Sequence, residues 1–167
     1  LPDGAGALLL DAIGEISISI QDKVNNSKSL QSNMKPTERE AIVKSRIGQG
    51  KFREQVLGLW GGVCPVTNID VPELLIASHI VPWQLADDSE KLDKFNGLPL
   101  SPSIDKLFDK GLVSFSRDGK LLVSKHISNE TLEKLGINIK TKLVGLQKQH
   151  FNYLERHRSI FGFSITD

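Results

Sequence analysis

The sequence carries one cysteine, Cys64. That excludes an internal disulfide and any zinc knuckle built from several cysteines of this chain, and it suits a reducing compartment, with the cytoplasm as the expected location. Long hydrophobic runs are also missing. No stretch approaches the roughly 20 apolar residues that a membrane span requires, so no membrane partner is expected. The opening LPDGAGALLLDAIG lacks the basic start of a signal peptide. Charge of one sign is absent too: 21 Lys and Arg stand against 20 Asp and Glu, for a formal charge of +1. Net charge therefore points to no polyanionic partner, and any nucleic-acid surface must come from local clustering. No internal repeat is present. What remains is a chain of 167 residues, 39% hydrophobic and 25% charged, enough for one domain of ordinary core size and an appendage. The first residue is Leu rather than Met, which reads as a fragment or processed product of a longer protein.

Residues 1–34 pass from an apolar stretch, ALLLDAIGEISISI, to the polar QDKVNNSKSLQSNM, a pattern that predicts a short helix and a tether outside the main domain, 35–167. The domain opens at PTERE, where Thr37 and Glu40 have the form of a capping box. AIVKSRI and FREQVLGLW repeat apolar residues at helical spacing, and Gly48 and Gly50 are expected to break them into two helices around a Gly-Gln-Gly turn. GGVCPVTNIDVP is rich in turn residues, with Cys64 read as a small buried side chain, and LLIASHIV predicts a strand with His79 near its C-terminal end. PWQLADDSEKLDKF reads as irregular. Asn96-Gly97 then opens the short apolar run LPL. Ser101 and Pro102 read as an N-cap and first helical residue of a helix to about Lys110, stopped by Gly111. LVSFS and KLLVS flank Arg117-Asp118-Gly119 as a hairpin, and TKLVGLQKQHFNYLERHRSIF has helical periodicity. The fold class expected is α+β.

A lone histidine on an apolar strand is ordinarily a satisfied core or surface residue, and so His126, His150 and His157 are read as structural or surface. His79 differs in its downstream neighbours. A strand ending in His, a loop, Asn96, a short strand and a helix bearing Asp105 and Asp109 together resemble the HNH nucleases, whose catalytic unit is a ββα-metal fold. Asp105 comes nine positions after Asn96, the separation typical of that family's middle Asn and final metal-binding residue. RIGQGKFREQVLGLWGGVCPVTN, ELLIASHIVPW, NGLPLSPSIDKLFDKG and YLERHRSIF are similar to the branch common in bacterial restriction and defence enzymes, so the resemblance runs from about Pro36 to Phe161. It implies a ββα-metal core with flanking helices and an extra β-hairpin. It also implies His79 as catalytic residue, Asn96 as a brace for the loop, and a role as the catalytic part of a modification-dependent enzyme with a reader domain upstream in the same polypeptide.

The chemistry accounts for these residue types. Hydrolysis of a phosphodiester needs an in-line nucleophile, a base to deprotonate water, and a cation to offset charge on the phosphoryl and leaving oxygens. Imidazole, with an unperturbed pKa of about 6.5, matches the base role near neutral pH. Asp105 and Asp109 are four apart, so on a helix both carboxylates project from one face toward a single cation. Oxygen donors suit Mg²⁺ or Mn²⁺ better than zinc. Many HNH enzymes place an aspartate directly before the catalytic histidine as a metal ligand; here the residue is Ser78. Arg46, Lys51, Arg53, Lys106 and Lys110 are candidate DNA contacts, the first three flanking the Gly-Gln-Gly turn whose exposed amides would also meet phosphates. Trp83 is a candidate for stacking on a base or for packing beneath the loop.

The expected function is metal-dependent endonucleolytic cleavage of DNA. Two rival readings are a ββα module that binds DNA after losing catalysis, with Ser78 as the mark of decay, and a nuclease triggered by a partner or signal that acts on DNA or RNA alike. A double-strand break needs two cuts, an argument for a homodimer.

Overall fold

The computed structural model describes residues 35–163, so the helix and tether expected over 1–34 lie outside the described residues. The chain divides into two units, 1–46 and 47–167. Of the first, residues 35–46 are described, and 36–46 form the opening turns of helix α1, Pro36–Leu59. Its start differs from the expected capping box. Pro36 takes the first helical position, where a missing N–H costs nothing, and the Glu38 carboxylate accepts the Lys35 amide at 3.2 Å. Thr37 and Glu40 both lie inside the helix.

The Gly-Gln-Gly turn is overturned as well, because α1 runs unbroken through Gly48 and Gly50. Two glycines weaken a helix by about 1 kcal/mol each relative to alanine. Tertiary packing prevails: Phe52 and Val56, four residues apart, are buried on one face. At Gly48 the small residue admits a neighbour, since a Cβ there would come within 3.1 Å of a Leu92 methyl. The backbone amides of this stretch are spent inside the helix.

The core of the second unit is built on three short elements. Strand β1, Ile76–His79, pairs antiparallel with β2, Gly97–Leu100, in a register that sets Ile76 opposite Leu100, Ser78 opposite Leu98 and His79 opposite Gly97. Every residue of β2 is buried. Ser101 and Pro102 then turn the chain into α2, Pro102–Asp109, which buries Ile104, Leu107 and Phe108. That is the i, i+3, i+4 stripe of a helix lying on a core. Ser101 stands at the N-cap without a side-chain cap bond; its amide instead donates to Cys64 Sγ at 3.4 Å. Cys64 is fully buried, as its sequence context suggested.

The hairpin forms where expected, with β3, Val113–Phe115, against β4, Leu121–Val123. Next comes a short helix, α3, Asn129–Lys134, under a Ser128 cap, an element that the sequence pattern does not announce. The C-terminal helix α4 spans only Lys148–Ile160, whereas the helical periodicity of the sequence begins at Thr141. Residues 141–146 are otherwise engaged: Lys142 makes a β-bridge with Lys120, and Val144 N–H donates to Pro65 O at 3.1 Å. Gln147 caps helix α4, and its amide donates to His150 Nδ1 at 3.0 Å. His150, Leu154 and His157 are buried along one face of α4. No described helix is long and apolar enough to cross a membrane.

Candidate active site

His79 closes β1, as its sequence position suggested. Its Nε2 lies 3.0 Å from the Lys91 carbonyl. A carbonyl oxygen only accepts, so Nε2 carries the hydrogen and Nδ1 is left with its lone pair. Among the described residues Nδ1 has no protein partner, and the side chain remains partly exposed. The ring is clamped by aromatics: Phe52 stacks on it at 3.9 Å between centroids and 7° between planes, and Trp83 meets it edge-on at 5.3 Å. Burial draws the His79 pKa below its ordinary 6.5, while the Lys91 carbonyl works in the opposite direction. At neutral pH the ring is therefore a neutral base with one free nitrogen.

Gly97 opposite His79 makes the Phe52 stack possible. A Cβ at position 97 would lie 2.4 Å from Val56 Cγ2 and 2.7 Å from Phe52 Cζ. Any side chain there would push Phe52 off its seat.

Asn96 is fully buried and closes the base of the long connection between β1 and β2. Its Oδ1 accepts Val81 N–H at 2.8 Å, its Nδ2 donates to Glu90 O at 3.0 Å, and its own carbonyl accepts Ile80 N–H at 2.9 Å. Both ends of the side-chain amide are thus used on backbone, and the loop that carries Lys91 O is fixed relative to the strand that carries His79.

Asp105 sits partly buried in the first turns of α2, and Asp109 is exposed at its end. The Asp105 carboxyl titrates above its ordinary 3.8, chiefly through burial; the Ser78 hydroxyl pulls it down by hydrogen bonding, the Asp109 charge pushes it up, and Lys106 pulls it down. Ser78 and Asp109 are therefore each close enough to act on Asp105. Asp109 also faces Lys110 Nζ at 4.0 Å. No group of three or more His, Cys, Asp or Glu side chains arranged to hold a metal ion is found among the described residues. The groups that bear on Asp105, the Ser78 hydroxyl and the Asp109 carboxylate, are oxygen donors like Asp105 itself, which bears a burial and repulsion cost that a cation would relieve. The set fits a hard divalent ion that keeps most of its water, as Mg²⁺ does.

The basic candidates separate. Lys51 and Lys106 are exposed on their helices, and Lys110 is exposed just past the end of α2. Arg53 is tied down, with its guanidinium donating to Leu75 O at 2.6 Å and Pro72 O at 2.7 Å, which fastens α1 to the entry of β1. Arg46 is exposed and belongs to the first unit. Trp83 packs against His79 and under Lys91, whose Nζ stands 5.4 Å from the indole. Sequence reasoning misses Phe52 and the Lys91 carbonyl. Phe52 carries only a helix-periodicity signal, and a backbone acceptor leaves no trace in residue identity.

Residues 64–116 match the family model described as HNH endonuclease. The matched stretch takes in β1, β2, α2 and β3, together with His79, Asn96, Asp105 and Asp109, and leaves out α1 and α4. No curated protein matches the chain.

Proposed function

We propose that residues 35–167 form a nuclease domain that hydrolyses DNA phosphodiesters with the help of a divalent cation, Mg²⁺ or Mn²⁺, and with His79 as general base. The observation that carries this reading is the state of the His79 ring: Nε2 donates to Lys91 O at 3.0 Å, so Nδ1 is left as the acceptor. His79 Nδ1 takes a proton from a water molecule. The resulting hydroxide attacks phosphorus, the bond to the leaving sugar oxygen breaks, and that oxygen acquires a proton from solvent. Asp105 and Asp109 would hold the cation, with Ser78 beside them, and the cation would offset charge on the phosphoryl and leaving oxygens. Asn96 braces the connection that presents Lys91 O. Lys51 and Lys106 are exposed side chains placed to meet phosphates, and Lys110, which faces Asp109, and Arg46, in the first unit, are further candidates.

By resemblance, the biological setting is restriction or defence in a bacterial cytoplasm. The chain would be the catalytic part of a modification-dependent enzyme with a reader domain upstream, working as a homodimer where both strands are cut. The test is nicking of supercoiled plasmid with Mg²⁺ or Mn²⁺, with and without chelator, compared with an RNA substrate of similar length. Metal-dependent conversion to open-circle DNA supports the reading. Tight DNA binding without cleavage in either metal would instead favour the module that has lost catalysis, to which Ser78 points. Equal cleavage of RNA would favour the non-specific nuclease.

A further inference from the structure

The connection from Ile80 to Asn96 contains no strand, yet it supplies the carbonyl that fixes the tautomer of His79. Asn96 secures one end of it. Its far side, residues 85–93, rests on α4, and the contacts there are polar and specific. The Arg156 guanidinium forms an ion pair with the Glu90 carboxylate, and its second nitrogen reaches Leu85 O at 3.4 Å. The Tyr153 hydroxyl donates to Asp93 Oδ2 at 2.7 Å, while the other oxygen of that carboxylate accepts Phe95 N–H at 2.9 Å. Glu90 and Asp93 flank Lys91, and the Glu90 backbone carbonyl is the one held by Asn96 Nδ2. Tyr153 and Arg156, three residues apart on one face of α4, therefore grip the chain on both sides of the carbonyl that His79 uses.

We propose that Tyr153 and Arg156 are positioning residues for His79, holding residues 90–93 so that Lys91 O stays against Nε2 and Nδ1 stays free. The proposal rests on the reading of His79 as general base. Without the grip the carbonyl drifts, nothing selects between the two ring nitrogens, and the proton populates Nδ1 for part of the time. Each such molecule presents an N–H where the reaction needs a lone pair. The loss is then in the fraction of competent enzyme, with substrate affinity unaffected.

The test uses the full chain with Tyr153→Phe and Arg156→Ala, and two readouts. Nitrogen-15 NMR of the histidine rings, recorded above their titration, should show His79 Nδ1 fully unprotonated in the wild type and partly protonated in both variants. On plasmid DNA, kcat should fall in proportion to that protonated fraction, further for Arg156→Ala than for Tyr153→Phe, with KM unchanged. Arg156→Lys, which keeps the charge opposite Glu90, should recover part of both. Wild-type His79 tautomer in the folded variants would overturn the proposal. If Arg156→Ala does not fold, Tyr153→Phe decides, because it removes one hydroxyl only. If the wild-type chain cuts no DNA, the nuclease reading falls, and the ring nitrogens still report whether α4 sets the tautomer.

Discussion

His79 and His157 share a plan. Each lies flat on a phenylalanine, His79 on Phe52 at 3.9 Å and 7°, His157 on Phe108 at 3.8 Å and 1°. Each turns Nε2 to a backbone carbonyl, Lys91 O at 3.0 Å for the first and Phe108 O at 3.1 Å for the second. They part at Nδ1. In His157 it accepts from the Ser114 hydroxyl at 2.9 Å, in a side chain only 1% exposed; in His79 it meets no protein group among the described residues, and the ring is partly open to solvent. A ring satisfied at both nitrogens is a fastener, here tying α4 to the end of α2. A ring satisfied at one nitrogen, with its tautomer chosen for it, is equipped for proton transfer. The difference lies in one unfilled hydrogen bond.

Substituting each ring by alanine is the most direct way to break the comparison. His79→Ala should lower plasmid cleavage by at least about 10², the loss of a general base, and leave the urea midpoint nearly unchanged. His157→Ala should cost about 3 kcal/mol of stability by opening a cavity and leaving the buried Ser114 hydroxyl without its partner. Equal losses of stability from the two changes would erase the distinction.

The metal side of the site sharpens it further. Asp105→Ala should abolish metal-dependent cleavage even at high Mg²⁺, and Asp109→Ala should raise the Mg²⁺ concentration at half-maximal rate. Ser78→Asp should lower that midpoint by adding an anionic oxygen beside Asp105. A wild-type midpoint in the Asp105 variant would take α2 out of the metal site.

Acid separates the two histidines by stability. Burial holds the His157 pKa down to about 4, so the folded state keeps this ring neutral while the unfolded chain protonates it near its ordinary 6.5. The stabilisation is whole above that ordinary value and is lost as pH falls from there toward the folded-state pKa, amounting to roughly 3 kcal/mol. Urea unfolding at several pH values should show that decline, and His157→Phe should flatten it. The smallest effect expected concerns DNA: neutralising Lys106 and Lys110 together should reduce the salt dependence of binding by up to about two phosphate equivalents. An unchanged slope would turn that face of α2 away from the nucleic acid.

Local chemistry is legible in the sequence wherever neighbours along the chain decide it. The strand ending at His79, Asn96 opening the second strand, the helix launched by Ser101 and Pro102, and the Arg117-Asp118-Gly119 hairpin all arise from short patterns. The errors fall where distant contacts decide. Gly48 and Gly50 read as a break, but Phe52 and Val56 dock downstream and Leu92 passes over Gly48, so the helix continues. Nothing in the sequence around Arg53 announces the two carbonyls it holds, 19 and 22 residues away. The environment of His79 is drawn from Phe52, Trp83 and Lys91, and only Trp83 is close to it along the chain.

The glycine opposite His79 has a consequence for which variants the fold admits. Its backbone is extended, at φ −137° and ψ 143°, a conformation open to any residue, so the demand at position 97 is for volume alone. A library of all side chains there should return glycine among active clones, with even alanine depleted. At Asp88, whose side chain is fully exposed, the same library should return nearly everything. Mutational tolerance along this connection would then be a profile of how close each position stands to the His79–Phe52 stack.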